Sequence, residues 1–306
     1  MEIKKFDKQD LSDNIELFCD LYHKAFTAAA NREIIEQRYF DNPYNELLMY
    51  IAMEDGKIVA NYSAVPIRVI VDGTERKAAL SLNTMTDSEY AGKGLFTKLA
   101  NALYEYLSSN GYAMIIGFPN FMSNRTFNTR LGWKTVLEIP TLKLNLKEIN
   151  VREETASMPF TDSFDGLICD NVLDDIHVAL SSEYLAWRFK KNKEKHYNVL
   201  SIDERNWLIY QFYNDEINIT AINSNDKMKE QKLIARIIEI GKKEDFTCVT
   251  TWCKLNTERH SNLEKLGFRL NSPIRTFGLR CFDETIAEKV YDPRKWSIQM
   301  GDDNTY

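Results

Sequence analysis

The sequence predicts an α/β (α+β) fold made of two similar units in tandem, each a mixed, mostly antiparallel sheet flanked by helices. Three observations predict it. Two Asp-Gly pairs, at 55–56 and 72–73, separate three strand-like segments. A helix and a short apolar segment, YAMIIGF, follow these strands. A similar order of elements then returns after a polar stretch at 148–180.

The first elements are helical. LSDNIELFCDLYHKAFTAAA (11–30) has apolar residues at helical spacing, and the shorter REIIEQRYF (32–40) ends before Asn-Pro. LLMYIAME, KIVANYSAVPIRVIV and ERKAALSLNTMT follow as strands. Because Asp-Gly favours two-residue hairpin turns, we expect these three strands to be antiparallel neighbours.

A glycine turn and an amphipathic helix follow in EYAGKGLFTKLANAL (89–103), and Asn110-Gly111 ends the helix. YAMIIGF is nearly continuous in apolar residues, which predicts a strand buried on both faces. A helix through SNRTFNTRL and a last strand, WKTVLEIPTLKLNL, complete the unit. The helix after the glycine turn carries Phe96, Leu99, Ala100, Leu103 and Leu107 on one face.

The second half repeats this order less completely. Setting Arg188 on Arg38 also sets Asn192 on Asn42, and RLGWK in the first half corresponds to KLGFR in the second. The second half has no glycine pair where the first has its turn. We therefore predict a complete unit, a linker and a degenerate copy; chance similarity of two α/β layouts is the alternative. The predicted boundaries are 1–147, 148–180 and 181–306.

Composition narrows the possible partners. With 39 Lys and Arg against 45 Asp and Glu, the net charge of −6 argues against a dedicated nucleic-acid-binding protein. No apolar run is long enough to span a bilayer, and MEIKKFDKQDLSDN is too charged for a signal peptide, so we expect a cytoplasmic protein without membrane insertion. Five cysteines without a CxxC pair and four scattered histidines favour reduced thiols and no metal site. A homo-oligomer is compatible with this composition.

The turn at 91–94 has features that suit a phosphate. The first turn of a helix leaves backbone N–H groups without intrahelical acceptors and carries partial positive charge. Gly92 and Gly94 let the backbone approach an anion closely, and Lys93 adds a cation. The pattern is not the dinucleotide fingerprint, because Thr97 stands where a third glycine is required. A plain strand-to-helix turn is the alternative.

The segment TMTDSEYAGKGLFTKLANAL resembles the acetyl-CoA-binding core of the GNAT superfamily of acetyltransferases, whose signature is Q/R-x-x-G-x-G/A after a central strand. The essential middle glycine of the signature corresponds to Gly94. LGW (131–133) resembles the family's LGF segment, and the tandem layout resembles the branch of the enhanced-intracellular-survival type. The resemblance covers residues 1–147 well and 181–282 weakly.

This resemblance implies an acetyl-CoA site. Met85 and Thr86 would pair with the pantetheine amides, and Asn120 and Asn124 would lie near the thioester arm. Ala91 replaces the Gln or Arg of the signature and Phe96 its final small residue, but backbone amides do the binding. The amides that would hold the CoA pyrophosphate are those of Gly92, Lys93, Gly94, Leu95, Phe96 and Thr97.

The catalytic residues are less sharply indicated. Many family members have a tyrosine general acid four residues before the glycine of the LGF segment, and this position is Asn128. Asp87 is a candidate base through water, with a turn cap as its alternative role. Tyr39 would line the acceptor pocket or pack in the core. The alternatives for Asn120 and Asn124 are a turn residue and a helix N-cap, respectively.

These features predict an acetyl-CoA-dependent N-acetyltransferase that acts on a primary amine of a small molecule or amino sugar. Two other functions stay open. A tandem-fold aminoacyl transferase of the peptidoglycan-bridge type is disfavoured by the turn at 91–97 and by the acidic charge. Asn128 in the acid position keeps open a non-catalytic pseudoenzyme that binds acyl-CoA.

Overall fold

The computed structural model describes residues 1–26, 30–149, 159–169 and 175–306, and the chain divides into two compact units. Unit 1 comprises Met1–Val136 and Phe277–Pro293. Unit 2 comprises Leu137–Thr276 and Arg294–Tyr306. This division differs from the boundaries at 147 and 181 that the sequence predicted, because two strands each continue from one unit into the other.

Unit 1 begins with a strand and three helices. The single helix predicted over 11–30 is wrong at its start and in its middle: helix begins at Lys8, and Asn14 leaves the helical region with φ −114° and ψ 18°. Residues 27–29 lie outside the described residues. The first strand was not predicted, because its four residues, EIKK, lack an apolar pattern. These elements are β1 (Glu2–Lys5), α1 (Lys8–Asp13), α2 (Ile15–Ala25) and α3 (Arg32–Tyr39).

The next three strands are antiparallel neighbours, as predicted: β2 (Leu48–Glu54), β3 (Lys57–Val71) and β4 (Thr74–Thr86). Both Asp-Gly pairs form the turns between them. Asp55 and Gly56 have φ of 51° and 73°, the left-handed values of a two-residue hairpin turn. β1 pairs with β2, and β5 (Met114–Gly117) lies parallel to β4.

Helices cover both faces of this sheet. Tyr62 and Ser63 are consecutive on β3, so their side chains point to opposite faces. On one face the Ser63 hydroxyl is hydrogen-bonded to Tyr39 of α3. On the other face the Tyr62 hydroxyl is hydrogen-bonded to Tyr104 of α4 (Leu95–Ser109). α5 (Phe121–Arg130) shares the α4 side, where its Phe127 joins the core.

From its first helix onward, unit 2 has an order of elements similar to that of unit 1: helix, three strands, helix, strand and helix. A short helix, α6 (Ser182–Leu185), continues as a π-helical segment. The elements that follow are β8 (Asn198–Asp203), β9 (Asn206–Tyr213), β10 (Glu216–Asn223), α7 (Lys227–Lys243), β11 (Cys248–Trp252) and α8 (Glu258–Lys265). β8, β9 and β10 are antiparallel neighbours, and β11 lies parallel to β10. The apolar face of α7 packs in a core with these strands.

Two strands pass from one unit to the other. β6 (Lys134–Asn145) starts in unit 1 and belongs to unit 2 from Leu137 onward, where it pairs antiparallel with β11. β12 (Arg269–Cys281) starts in unit 2 and returns to unit 1 at Phe277, where its end pairs antiparallel with β5. From the sequence, β6 was predicted to lie wholly in the first unit, since local periodicity does not reveal a strand's partner.

Part of the predicted linker belongs to unit 2. Thr161 forms an antiparallel bridge with Ser201, and β7 (Ile176–Val178) also lies in this unit. Residues 150–158 and 170–174 of the linker lie outside the described residues. α9 (Ala287–Val290) completes unit 1. Across the described ranges, no helix is both long enough and apolar enough to cross a membrane.

Candidate active site

The end of β4 extends past the strand that lies parallel to it. The β4–β5 register runs from Ala78–Met114 to Leu80–Ile116, and β4 continues for six residues to Thr86. Met85 and Thr86, the predicted pantetheine partners, pair with β3 through Asn61 and Ala60. Met85 and Thr86 therefore face β3 along one edge of β4, and along the other edge they lie beyond the last residue pair with β5.

A bulge shapes this end of β4. The β3–β4 register shifts between Asn61 and Ser63, so that β4 has two residues where β3 has one. Asn83 lies in the bulge with φ 52°, a left-handed value that Asn adopts more readily than most residues. Its carbonyl oxygen accepts a 2.5 Å hydrogen bond from Asn61 Nδ2. The side chain of Asn61 on β3 thus holds the bulge in place.

The turn from β4 to α4 is open to solvent. Gly92 and Gly94 have φ of 76° and 73°, where glycine avoids the steric strain of other residues. A Cβ at either position would have no atom within 4 Å. Lys93 Nζ lies 4.1 Å from the centroid of the Tyr90 ring, beside the turn. The surface in front of the turn can therefore admit a ligand close to the backbone.

The start of α4 has glycine as its N-cap. The first helical hydrogen bond runs from Lys98 N to Gly94 O at 3.1 Å, so the N–H groups of Leu95, Phe96 and Thr97 precede the helical ladder. α3 is different, because Asn31 Oδ1 accepts the N–H of Ile34. No side chain caps the first turn of α4, an arrangement that suits an anion as the acceptor of its backbone N–H groups.

The predicted thioester-arm residues lie at the start of α5. Asn120 is the N-cap, and its Oδ1 accepts from Ser123 N at 2.9 Å. The N-cap role considered for Asn124 is therefore wrong, because the helix begins three residues before it. Asn124 Oδ1 instead accepts from Asn128 Nδ2 at 2.7 Å. Asn128 is exposed and also accepts from Thr135 N at 3.1 Å, which joins α5 to β6.

Asp87 joins the end of β4 to two neighbouring elements. Its Oδ1 accepts from Glu89 N at 3.1 Å, and its Oδ2 lies 2.7 Å from Lys24 Nζ of α2. The hydrogen bond from Lys24, followed by that from the Glu89 amide, lowers the pKa of Asp87. These contacts give Asp87 a capping role. Its role as a base stays a prediction.

Tyr39 lies under β4 rather than at an open surface. Its hydroxyl lies 2.8 Å from Ser63 Oγ and accepts from Asn83 Nδ2 at 3.0 Å. Burial raises the pKa of Tyr39, so the phenol stays protonated. Tyr39 thus supports the bulge from behind, and its contribution to an acceptor pocket stays a prediction.

The segment that carries this geometry matches a known family. Residues 2–136 match the model of the acetyltransferase (GNAT) domain. The chain contains a GNAT acetyltransferase domain. The match covers the glycine turn, the bulged β4, α4, β5 and α5, so the resemblance read from the sequence is confirmed.

Solved structures extend the likeness in fold beyond the GNAT domain. A probable N-acyltransferase of Enterococcus faecalis V583 superposes with a TM-score of 0.69 at 15% identity, over 94% of this chain and 74% of the other. A GCN5-related N-acetyltransferase of Anabaena variabilis ATCC 29413 gives 0.68 at 10%, over 92% and 72%. Eis1 of Mycobacterium abscessus gives 0.66 at 11%, over 92% and 74%. No curated protein matches the chain in sequence.

Sequence reasoning missed a buried hydrogen-bonded chain beside the end of the β4–β5 pairing. Ser81 Oγ lies 2.9 Å from the Tyr62 hydroxyl, which lies 2.7 Å from the Tyr104 hydroxyl. Trp133 Nε1 donates to Tyr104 at 2.8 Å. The LGW segment was noted for its glycine, but only the β3–β4 register and the position of α4 bring these four side chains together.

Unit 2 also has a parallel strand pair followed by a helix, but side chains of unit 2 itself bind the strand end and the helix start. The β10–β11 register ends at Ile219–Thr251. Asp226 Oδ1 caps α7 by accepting from Met228 N at 2.8 Å. Gln299 Oε1 accepts from Ile222 N, near the end of β10, at 2.6 Å. The helix start and strand end of unit 2 therefore already have polar partners within the chain.

A cavity of about 530 Å³ lies at this end of unit 2. Its wall includes Trp252, Gln299 and the ion pair between Glu230 and Arg259, whose closest atoms are 2.8 Å apart. All of its lining residues belong to unit 2. The cavity is therefore separate in sequence from the glycine turn of the GNAT domain.

Proposed function

We propose that the GNAT domain is an acetyl-CoA-dependent N-acetyltransferase acting on a primary amine of a small molecule or amino sugar. The observation that carries the proposal is the glycine-capped, open start of α4. The backbone N–H groups of residues 92–97 would hold the CoA pyrophosphate, with Lys93 beside them. Met85 and Thr86 would pair with the pantetheine amides. The free space in front of Gly92 and Gly94 fits this role.

Acyl transfer to an amine requires a neutral amine, a polarised carbonyl and a stabilised leaving thiolate. Acetyl-CoA supplies the acyl thioester. A backbone amide of β4 would polarise the carbonyl, Asp87 would accept the amine proton through water, and Tyr39 would border the acceptor. Asn128 has no labile proton, so binding close to the acceptor and exclusion of water provide much of the rate. Asn120 and Asn124 would lie beside the arm.

Unit 2 would be a degenerate copy of the GNAT domain that binds no CoA. Arg38 and Arg188 are both buried at corresponding places. Asn42 and Asn192 each accept the backbone N–H of the residue two positions on, at 2.9 Å. These shared roles support tandem copies. The carboxylate of Asp226 takes the donors that a phosphate would need, which supports loss of the ligand.

The acidic net charge supports a small-molecule acceptor over nucleic acid. We also propose that the protein is cytoplasmic. Self-association is compatible with this function. An aminoacyl transferase of the peptidoglycan-bridge type would have no use for the open turn at 91–97. A pseudoenzyme would bind acyl-CoA at that turn without catalysing acyl transfer.

The test is acetyl-CoA turnover, measured as thiol release, across a library of primary amines. Calorimetry on the same sample measures CoA binding. Binding with amine-dependent release supports the proposal. Binding without release for every amine favours the pseudoenzyme. A folded protein that binds no CoA overturns the proposal.

A further inference from the structure

Four side chains of the GNAT domain form a hydrogen-bonded chain that ends at Ser81, directly after the last residue pair between β4 and β5. The order is Trp133, Tyr104, Tyr62 and Ser81, with donor–acceptor distances of 2.8, 2.7 and 2.9 Å. Trp133, Tyr104 and Tyr62 are all buried, whereas Ser81 is partly exposed. The chain thus connects a dry core to a more accessible end.

The chemistry of these groups fixes the direction of the hydrogen bonds. The indole N–H of Trp133 can only donate, so the Tyr104 oxygen accepts from it. A buried hydroxyl hydrogen needs an acceptor, so Tyr104 donates to Tyr62, and Tyr62 donates to Ser81. Ser81 therefore accepts within the chain, and its own hydrogen is available to a further acceptor. No such acceptor is found among the residues that the structure describes.

Ser81 lies where a thioester arm between the strands would end. It is the first β4 residue after the last pair with β5, Leu80–Ile116. On β5 the residue after that pair is Gly117, and a Cβ there would come within 3.4 Å of Ser81 Cβ and 3.3 Å of the Trp133 ring. Glycine thus lets β5 lie close to Ser81 and Trp133 at this point. The corresponding pair in unit 2 is Thr220 and Trp252, and Thr220 Oγ1 donates to Ile209 O instead.

We propose that the Ser81 hydroxyl donates a hydrogen bond to the sulfur of the acyl-CoA thioester, and that Tyr62 and Tyr104 position it for this contact. The inference rests on the proposed function. In the transfer step the C–N bond forms, the C–S bond breaks, and its electron pair moves to sulfur. Ser81 stabilises the negative charge that develops there, and the proton of the amine passes through water to Asp87.

The two tyrosines orient Ser81 and do not pass it a proton. Burial raises the pKa of both Tyr62 and Tyr104 above the usual value for a phenol. A proton relayed outward would leave a buried tyrosinate, which burial strongly disfavours. Ser81 is therefore a hydrogen-bond donor in this site, a role that Asn128 does not fill from its exposed position on α5.

The test measures the pKa of the CoA thiol in its complex with the protein, from the ultraviolet absorbance of the thiolate. A donor to sulfur lowers this pKa, so Ser81→Ala should raise it by about one pH unit, the equivalent of one hydrogen bond to a charged group. Tyr62→Phe should raise it less, because Ser81 remains but is no longer oriented. Ser108→Ala, an exposed serine of α4, is the matched control and should match the native protein.

The turnover assay gives a second readout. Ser81→Ala should lower kcat about 10²-fold, the usual effect of one lost donor to transition-state charge, with little change in the KM for acetyl-CoA. Equal thiol pKa values in the native and Ser81→Ala complexes would overturn the assignment, whatever the effect of Ser81→Ala on turnover. A native protein that binds no CoA would overturn the proposed function itself, which separates the two failures.

Discussion

Lys24 Nζ lies 2.7 Å from Oδ2 of Asp87, and this ion pair joins α2 to the end of β4. Asp87 also caps the turn that leads to the glycines through its bond from Glu89 N. The Lys24 hydrogen bond is the larger cause of its lowered pKa. One carboxylate thus fixes the position of the strand end and of the following turn together.

Replacing Asp87 should therefore have a pH-dependent effect on stability. Its pKa is lower in the folded state than the unfolded value of about 3.9, so it stabilises the fold above that pH and loses this effect as the pH falls through the folded pKa. We expect Asp87→Asn to melt at a lower temperature than the native protein at pH 7, with the gap narrowing in acid. A gap that is constant with pH would contradict this linkage.

The base role of Asp87 requires a separate effect on rate. General-base help is typically worth about 10²–10⁴-fold, so Asp87→Asn should lower kcat by at least about 10²-fold. Lys24→Met serves as the control, since it removes the ion pair and keeps the carboxylate. A kcat retained in Asp87→Asn would leave this residue with its capping role alone.

Gly94→Glu should abolish acetyl-CoA binding, because a carboxylate would enter the pyrophosphate site. Gly56→Glu is the matched control: both glycines have φ 73°, and a Cβ added at either would have no atom within 4 Å. Both variants should lose a similar amount of stability, about 1 kcal/mol for a non-glycine residue in this conformation. Calorimetry should show CoA binding only in the Gly56 variant. Native affinity in folded Gly94→Glu would rule out the assigned site.

Asn128→Tyr should raise turnover, because it puts a phenol where many relatives have their general acid. Asn128 is exposed, so a ring can be placed there without displacing core residues. Asn128→Phe adds the ring without the hydroxyl and is the control. We expect an increase of about 10-fold or more with Tyr and none with Phe, a modest part of the usual effect of an acid. Identical pH–rate profiles for the two variants would show that the position has no proton role.

Unit 2 should bind no CoA, even without its carboxylate cap. Asp226→Ala removes the acceptor for Met228 N and should lower the free energy of unfolding by about 0.5–2 kcal/mol, as lost caps do. Gln299 would still bind Ile222 N at the end of β10. We expect calorimetry to give one CoA per chain in both proteins. A second site in either protein would contradict the degenerate-copy proposal.

Features with a local cause were predictable from the sequence. Asp-Gly pairs specify hairpin turns through their own backbone preferences, and Gly94 specifies the start of α4 in the same way. The bond between Tyr62 and Ser81 was not predictable, because it depends on the β3–β4 register and on Tyr104 from a later helix. β1 was missed because EIKK is a charged edge strand. Helix periodicity also did not separate Asn120 from Asn124 as the cap.

The late position of β12 in the chain has a consequence for how the protein is made. β5 pairs with residues 278–281, which leave the ribosome more than 160 residues after β5 itself. Until then, the nascent GNAT domain has β5 as an unpaired edge, a known template for aggregation. The domain that carries the proposed chemistry therefore completes its sheet only after residues 137–276 of unit 2 have been made, and a chain truncated after residue 147 would lack that strand altogether.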